Sequence, residues 1–486
     1  MTELNSTQGT PTDDIEIPLF DNDAQSQSDN GPTVSGWRSM TPLLLAGYFL
    51  TITVGCVQVY FLVRAISGLS DSTGIGYWQS VLVSFFFFFF SIFFVGRYLV
   101  TMMFAFLEGS KIIDERIVSD SDAPLVTILI PCFNEAENII ATISSALSVN
   151  YPALEIIVID DGSSDDTVKL AKAYAAEHAP NVKVVTQENS GKASALNNGY
   201  ELASGEYILS MDADSELDPH SVRRLVARSI ESNAGAVAGQ VHIKNTRSML
   251  AYLQQLEYVM MNGTARLFQS FFSSVLVAPG PITLFSRAAL QRTIEFRNSV
   301  GLQQTKDETG PWETSTFAED AKLSMTMLAA GESCVFEPSA VCLTQAPVAA
   351  GGLMNQRYRW IRGNLQAAMG TWALWKRAPS RKPSMSLWII WFLIESLIWP
   401  LVDVFGVIII VLVLTSAGSP GEGLIWYLAL MCSDIAAALF AATACNGRRR
   451  LALLVPFYRL GYGLLLECIA LIAFLDEGRG AKMKWN

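Results

Sequence analysis

Two kinds of hydrophobic pattern alternate along the chain. No charged residue occurs from Thr41 to Val63, and a second uncharged run, Ser72–Gly96, contains "SFFFFFFSIFFVG". Each is long enough to cross a bilayer as a helix. Near the carboxyl end, Ser386–Thr415, Gly423–Cys445 and Leu451–Leu475 are again strongly apolar. Between Ala123 and about Ala350 this pattern stops. There "LVTILIPCF", "LEIIVIDDG", "NVKVVTQE", "EYILSMDAD" and "AGAVAGQV" read as strands, and stretches such as "EAENIIATISSALS" and "SDDTVKLAKAYAAEHA" read as the helices between them. That alternation predicts an α/β domain with a mostly parallel sheet covered by helices.

The expected organisation is a disordered acidic tail (1–37), two transmembrane helices (38–110), a central α/β domain (111–350), an amphipathic interface helix (351–384) and a C-terminal transmembrane region of about three apolar segments (385–486). Lys111 and Arg116 follow the second run, and Arg97 interrupts it near its inner end, so the central domain is expected in the cytoplasm of a multi-pass protein of the cell membrane. The carboxyl end is ambiguous. "NGRRR" at 446–450 and "RGAKMK" at 479–484 are both basic, yet one apolar segment separates them. Either Leu451–Leu475 begins interfacially or re-enters, or Ser386–Thr415 hides an extra turn.

Composition changes the picture little. The formal charge of −11 is local, because residues 1–37 hold seven acids and no Lys or Arg, leaving about −4 elsewhere. No nucleic-acid partner is implied. Seven cysteines occur singly and the three histidines lack ligand spacing, which disfavours a zinc site or a disulfide framework. "NGT" at 262–264 has the form of a glycosylation acceptor, but a cytoplasmic domain does not meet that machinery.

Candidate chemistry sits at the carboxyl ends of the predicted strands, where ligands gather in doubly wound sheets. After "ILI" comes "PCFNEAEN", after "IIVI" comes "DDGSSDDT", and after "YILSM" comes "DADSELD". Turn propensity alone explains any one of these clusters; their recurrence favours a shared site. A calcium loop fails, with Leu217 and Arg223 at the positions of Gly and Glu. A P-loop fails at Thr186 and Ala193, and no G-x-G-x-x-G follows a strand. Asp212 and Asp214, two apart and expected on one side of an extended backbone, fit a divalent ion, Mg²⁺ or Mn²⁺, that shares its shell with a diphosphate, with Lys192 adding charge. His220 follows this loop and reads as a surface residue. In "TSTFAEDAKLSMTMLAAG", Ser315 and Thr316 offer a helix start, with Glu319 and Asp320 in its first turn as favourable helix acids or as a general base. In "MNQRYRWIRGNLQ", Gln356, Arg359 and Trp360 share one helical face, suited to hydroxyls, a phosphate and a sugar ring.

Taken in order, "PCFNEAENI", "VIDDGSSDDT", "SGKASALNNG", "MDADSELD", "FAED" and "QRYRW" resemble the membrane-embedded family 2 glycosyltransferases, above all processive synthases of poly-N-acetylglucosamine, hyaluronan, chitin oligosaccharide and cellulose. "QQLEY" at 254–258, "VAPGPITLFSR" and "KMKW" are similar too, and the resemblance covers about residues 95–486. It implies a GT-A domain, inserted between N- and C-terminal transmembrane helices, that uses a uridine diphosphate sugar. Phe133, Glu135, Asp160 and Asp161 would line the nucleobase pocket, and Lys192 and Asp212 would touch the nucleotide. Asp214, with Asp212, would hold the metal, and Asp320, with Glu319, would be the catalytic base of an inverting transfer. Gln356, Arg359 and Trp360 would hold the diphosphate and the acceptor end. A growing polysaccharide or a lipid is the implied acceptor, and accessory export proteins are an implied partner class. Two departures stand out: Ala318 replaces the usual Thr, and "APGPI" replaces the more common small-residue form. The early end of the chain after its last apolar segment is expected to leave no cyclic-dinucleotide-binding domain, favouring poly-N-acetylglucosamine or hyaluronan over cellulose. The alternatives are a single-transfer enzyme acting on a membrane lipid and, more distantly, a transporter with a cytoplasmic nucleotide-binding module, for which Arg97, Glu395 and Asp403 would be pathway charges.

Overall fold

The computed structural model describes residues 34–69, 77–78, 81–82, 96–111, 115–178, 181–301, 310–378, 383–415, 420–445 and 447–481. The acidic tail up to residue 33, most of Ser72–Gly96 and "KMKW" lie outside the described residues. The expected strands form as β1 (Val126–Cys132), β2 (Leu154–Asp160), β3 (Val182–Thr186), β4 (Tyr207–Ser210) and β6 (Ala236–Ile243), joined by β5 (Glu216–Leu217), β7 (Thr283–Ser286) and β8 (Cys334–Thr344). They make one sheet in the order β3-β2-β1-β4-β7-β6-β8-β5. The first four are parallel, with Cys132 level with Asp160 and Asp160 level with Thr186, so the polar clusters that follow them leave one edge together. β7 runs antiparallel to both β4 and β6, which makes the sheet mixed. Neither β7 nor β8 is evident in the hydrophobic pattern, because β7 is only four residues long and Pro338 interrupts β8.

Period-two alternation sends the side chains of β1 and β2 to opposite faces. Leu129, Ile157 and Ile159 join one apolar cluster, and Ile128, Ile130, Ile156 and Val158 the other. Helices cover both: Lys192–Leu202 packs on the first face, Ile139–Leu147 and Thr167–His178 on the second. The first cluster does not stop at the domain. It continues through Met102 and Ala105 to Met385, Ile389, Ala437 and Phe440 of the apolar helices. The sheet and these helices therefore share one core, and the domain is mounted rigidly on them.

Among the described residues, Met385–Ile408 and Arg449–Gly478 are long and apolar enough to cross a bilayer by length and composition. Glu395, Asp403 and Arg459 within them are paired. Arg97 meets Glu395 at 2.5 Å and lies over the Trp399 ring, while Arg459 meets Asp403 at 3.1 Å and Asp434 at 3.2 Å. Such pairing tolerates charge in an apolar setting without invoking a transport pathway.

One further ion pair ties the entering helix to the sheet. Glu108, at the end of Gly96–Gly109, binds Arg228 and accepts from Ser270 Oγ at 2.7 Å, and both charged side chains are almost fully buried. Truncating Glu108 would remove the carboxylate that Arg228 touches and leave only the nearby buried Glu337 to balance it, a loss of about 3 kcal/mol. Glu108→Ala is thus expected to lower the thermal unfolding midpoint by several degrees, measured on the detergent-solubilised full chain, whereas Lys111→Ala on the exposed side of the same carboxylate shifts it by about a degree or less.

Candidate active site at the carboxyl edge of the sheet

The acidic loop after β4 is a turn rather than continued strand. Ser215 N–H donates to the Asp212 carbonyl at 3.1 Å, and Thr142 Oγ1 donates to the Ala213 carbonyl at 2.7 Å. Asp212 and Asp214 are thus brought to one side by a hydrogen-bonded turn that buries Ala213, not by strand alternation. Lys192, first residue of its helix, reaches Asp212 Oδ1 at 2.5 Å and Glu319 Oε1 at 3.4 Å. Asp161 positions that helix start: its carboxylate accepts from Gln187 Nε2 at 2.8 Å and from the Ser190 and Gly191 N–H groups at 2.9 and 2.8 Å. Gly191 has φ +91°, a conformation that favours glycine. Asp160 accepts instead from the Gly162 and Ser163 N–H groups of its own turn.

Glu319–Ala330 begins after Ala318, three residues beyond the Thr316 start expected from the sequence. Thr316 Oγ1 accepts from Ala318 N–H at 3.3 Å, so the hydroxyl stabilises the approach to the helix rather than its first turn. Asp320 turns back on the sheet, where Oδ2 accepts from Gly280 N–H at 3.2 Å and Oδ1 from Ala321 N–H at 2.7 Å. Ser210, Gly280, Thr283, Trp312, Glu319 and Asp320 line a small cleft there.

Four carboxylates, Asp212, Asp214, Glu319 and Asp320, thereby gather around one ammonium, and Glu135 lies beside Asp212 and Asp214. The electrostatics follow. Burial and then Glu319 push the Asp320 carboxyl up to about 6, against the pull of Lys192. Burial and then Asp212 raise Asp214, whose Oδ1 accepts from Ser215 and Thr344 at 3.1 and 3.2 Å. Burial raises Glu135, with Asp214 and Asp212 adding to the effect. For Lys192, burial acts downward but Asp212 and Glu319 outweigh it, so its charge is held firmly. No three metal-ligating side chains converge among the described residues. The donor set is a carboxylate pair whose Oδ2 atoms are unengaged among the described residues. It fits a hard divalent ion that completes its shell with water and substrate phosphate. His220 lies elsewhere, 3.8 Å from Glu115.

The helix Ala350–Arg377 closes the site. Gly363 lies on the face of Gln356, Arg359 and Trp360, and a Cβ there would meet Ala318 Cβ at 2.7 Å and Ala318 N at 3.1 Å. This close approach brings the "QRYRW" face against the backbone that leads into Glu319 and Asp320. Trp360 is 39 % exposed and tilted against Tyr258 of "QQLEY" with centroids 6.4 Å apart. Arg359 has no ion-pair partner among the described residues.

Residues 127–294 match the family model for glycosyl transferase family 2. The match spans about a third of the chain. The poly-beta-1,6-N-acetyl-D-glucosamine synthase of Staphylococcus epidermidis is 33% identical over 278 residues, 56% of this chain and 62% of that protein. Its namesake in Staphylococcus aureus is 34% identical over 239 residues, 49% and 54% of the two chains. The matched region thus spans little more than half the length of these curated relatives. A mannosyltransferase, PcManGT from Pyrobaculum calidifontis, solved with GDP-Man and Mn²⁺, superposes with a TM-score of 0.50 at 19% identity over 90% of this chain and 100% of that one. The shared fold is the GT-A type of α/β domain.

In the central domain, Lys192, Asp212, Glu319, Asp320 and, electrostatically, Glu135 and Asp214 come together, while Phe133 is a half-exposed side chain beside the first strand end. Gly280 and Gly363 are the site residues that motif spacing did not single out. The signal for Gly280 was the departure "APGPI"; for Gly363 it was its place one turn beyond Arg359 and Trp360. Gly363→Val, which drives a branched side chain into Ala318, is expected to cut sugar transfer at least about tenfold in membrane assays. Gly351→Ala, where the added Cβ meets open space, leaves it unchanged.

Proposed function

We propose that the chain is a processive, inverting, metal-dependent glycosyltransferase that polymerises a uridine diphosphate sugar, UDP-N-acetylglucosamine, into a β-linked polysaccharide. The observation that carries this reading is Asp320: a carboxyl tuned to about 6, held on the Gly280 amide and adjoining the Lys192–Asp212 pair. A general base works best with such a value near the working pH. Asp320 takes the proton of the acceptor hydroxyl as its oxygen bonds to C1 of the donor sugar. The bond from C1 to the diphosphate breaks, and the nucleoside diphosphate leaves with the electron pair. Glu319 keeps Asp320 basic through like-charge repulsion. Bound at Asp214 and Asp212, Mg²⁺ or Mn²⁺ supplies positive charge for the departing diphosphate. Lys192 adds a second charge. Phe133 and Glu135 face the nucleobase, Glu135 with Oε2 held by Asn138 Nδ2 at 2.8 Å, while Asp160 and Asp161 shape the pocket by holding the loops around it. Gln356, Arg359 and Trp360 bind the diphosphate and stack on the acceptor sugar.

The names of the staphylococcal relatives support the choice of sugar and of polymerisation. The apolar helices support a multi-pass cell-membrane protein with the domain on the cytoplasmic side, beside Lys111, the polymer leaving through the spans. The corresponding division is a tail, two spans, the GT-A domain, the interface helix and a C-terminal membrane region.

Membrane vesicles supplied with Mn²⁺ or Mg²⁺ and radiolabelled UDP-sugars test this. High-mass product from UDP-N-acetylglucosamine is expected, abolished by chelation and reduced at least about 10³-fold in Asp214→Asn and Asp320→Asn. A short, lipid-extractable product would instead identify a single-transfer enzyme.

Two pH dependences follow from Asp320. Because the ionised form is the base, the rate is expected to rise about tenfold per pH unit until Asp320 is ionised and then to level off, at a pH below 6 once a bound cation offsets the Asp212 charge. Stability runs the other way. A carboxyl raised from 3.8 to about 6 on folding stabilises the fold below 3.8, and that contribution is lost as pH rises through 6. Asp320→Asn, inactive, should therefore unfold at a higher temperature than wild type at pH 8 in metal-free buffer, with the difference vanishing near pH 4.

A further inference from the structure

The segment 310–318 leads into the helix that carries Glu319 and Asp320, yet it has neither helix nor strand of its own. Its placement therefore depends on side chains from elsewhere. Three of these come from the helix Lys192–Leu202. Buried Asn197 takes both polar backbone groups of Trp312: Nδ2 donates to the carbonyl at 2.8 Å, and Oδ1 accepts from the N–H at 3.0 Å. Tyr200 meets the buried Trp312 ring edge-on, with centroids 6.4 Å apart, and Phe285 of β7 does the same at 5.9 Å. Lys192 reaches Glu319 Oε1 at 3.4 Å.

The chemistry of this pairing is specific. A primary amide carries a donor and an acceptor in one plane, so it can satisfy the N–H and the C=O of a single residue together; a carboxylate only accepts. Gly310 leaves the room for it, because a Cβ there would fall well inside van der Waals distance of Asn197 Oδ1 and Cγ. Just before Trp312, buried Arg297 donates to the Gly310 and Pro311 carbonyls, and just after it Glu313 stands 3.8 Å from both Arg297 and Lys322. Arg297 thus fixes where the segment arrives, and Asn197 fixes how it stands against the helix that begins with Lys192. Trp312 lines the cleft beside Asp320, but Asn197 does not.

We propose that Asn197 is a positioning residue: by pairing with the Trp312 backbone it locks the 310–318 segment to the Lys192–Leu202 helix and so sets Glu319 and Asp320 in register with Lys192. Asn197 stands five residues along that helix from Lys192, ~7.5 Å, and the helix is the rigid spacer between the charge that meets the diphosphate and the segment that carries the base. Nucleotide binding uses Lys192 and the loops after β1, β2 and β4, and it does not need the tie. Transfer needs it, because the acceptor hydroxyl must meet Asp320 while the donor is held from the other side. The catalytic half of this inference rests on the glycosyltransferase reading above; the tie itself does not.

Two measurements on the detergent-solubilised full chain test the two halves. Amide hydrogen exchange over 312–321 is expected to quicken at least about tenfold in Asn197→Ala and in Gly310→Ala, which breaks the same pairing from its other side, while β1 and β2 stay protected. Unchanged exchange over 312–321 overturns the tie. Calorimetry with UDP and Mn²⁺ then counts the folded sites, so that kcat can be given per site. In both variants kcat per site should fall between about tenfold and 10²-fold, with the Kd for UDP within about twofold of wild type. Arg287→Ala, which releases the Ala203 and Gly205 carbonyls at the far end of the same helix, should lower the unfolding midpoint but keep kcat per site within about twofold. Unchanged kcat per site in Asn197→Ala, a Kd for UDP that rises in proportion, or an equal loss in Arg287→Ala would defeat the positioning role. A wild type that neither binds UDP nor makes polymer would count against the proposed function, and hydrogen exchange would still decide the tie.

Discussion

Carboxylates crowd around a single lysine at the carboxyl edge of the sheet, and the surrounding architecture answers to that crowding. Asp212 and Glu319 come from opposite halves of the domain, one after β4 and one after β7, yet both reach Lys192. Mutual repulsion would push such loops apart. What holds them is backbone: Thr142 on the Ala213 carbonyl, the Gly280 amide on Asp320, and Asp161 on the turn that delivers Lys192. Buried hydrogen bonds of this kind fix positions that charge alone would scatter, and the strain is relieved by protonation or by a bound cation.

The shared core ties the site to the apolar helices. One apolar cluster runs from the sheet through Ala318 and Ala321 to the apolar helices, so the acidic pair and the "QRYRW" helix share a single packed body. Gly363 gives the contact its closeness, and the Glu257–Arg357–Trp360 stack gives it its angle. On the proposed reading, a displacement of about an ångström at this seam would separate an acceptor hydroxyl from its base.

Much of the domain was legible in the pattern of residues. Four parallel strands and the clusters after them follow from period-two burial and from the rule that ligands gather at strand ends. The Glu319–Asp320 helix was legible too, but its start was misplaced, because Ser315 and Thr316 are good caps locally while the packing of Gly363 on Ala318 decides where the first turn forms. β7 was hidden for a similar reason: four residues carry too little periodicity, and only pairing between β4 and β6 makes them a strand. Asp160 and Asp161 stand out in the sequence by their place at a strand end, yet their hydrogen bonds to Gly162, Ser163, Ser190 and Gly191 belong to loop geometry that spacing does not encode.

By itself the sequence determined which residue types stand at each strand end, the alternation of apolar runs with an α/β domain, and the helical face shared by Gln356, Arg359 and Trp360. These are local properties, set by periodicity and residue chemistry over a few turns. Tertiary structure alone decided which distant carboxylates meet at Lys192, how close Gly363 comes to Ala318, and that Asn197 pairs with the backbone of Trp312. Each of these contacts joins residues far apart in the chain, and their geometry depends on packing summed over the whole core rather than on any local preference.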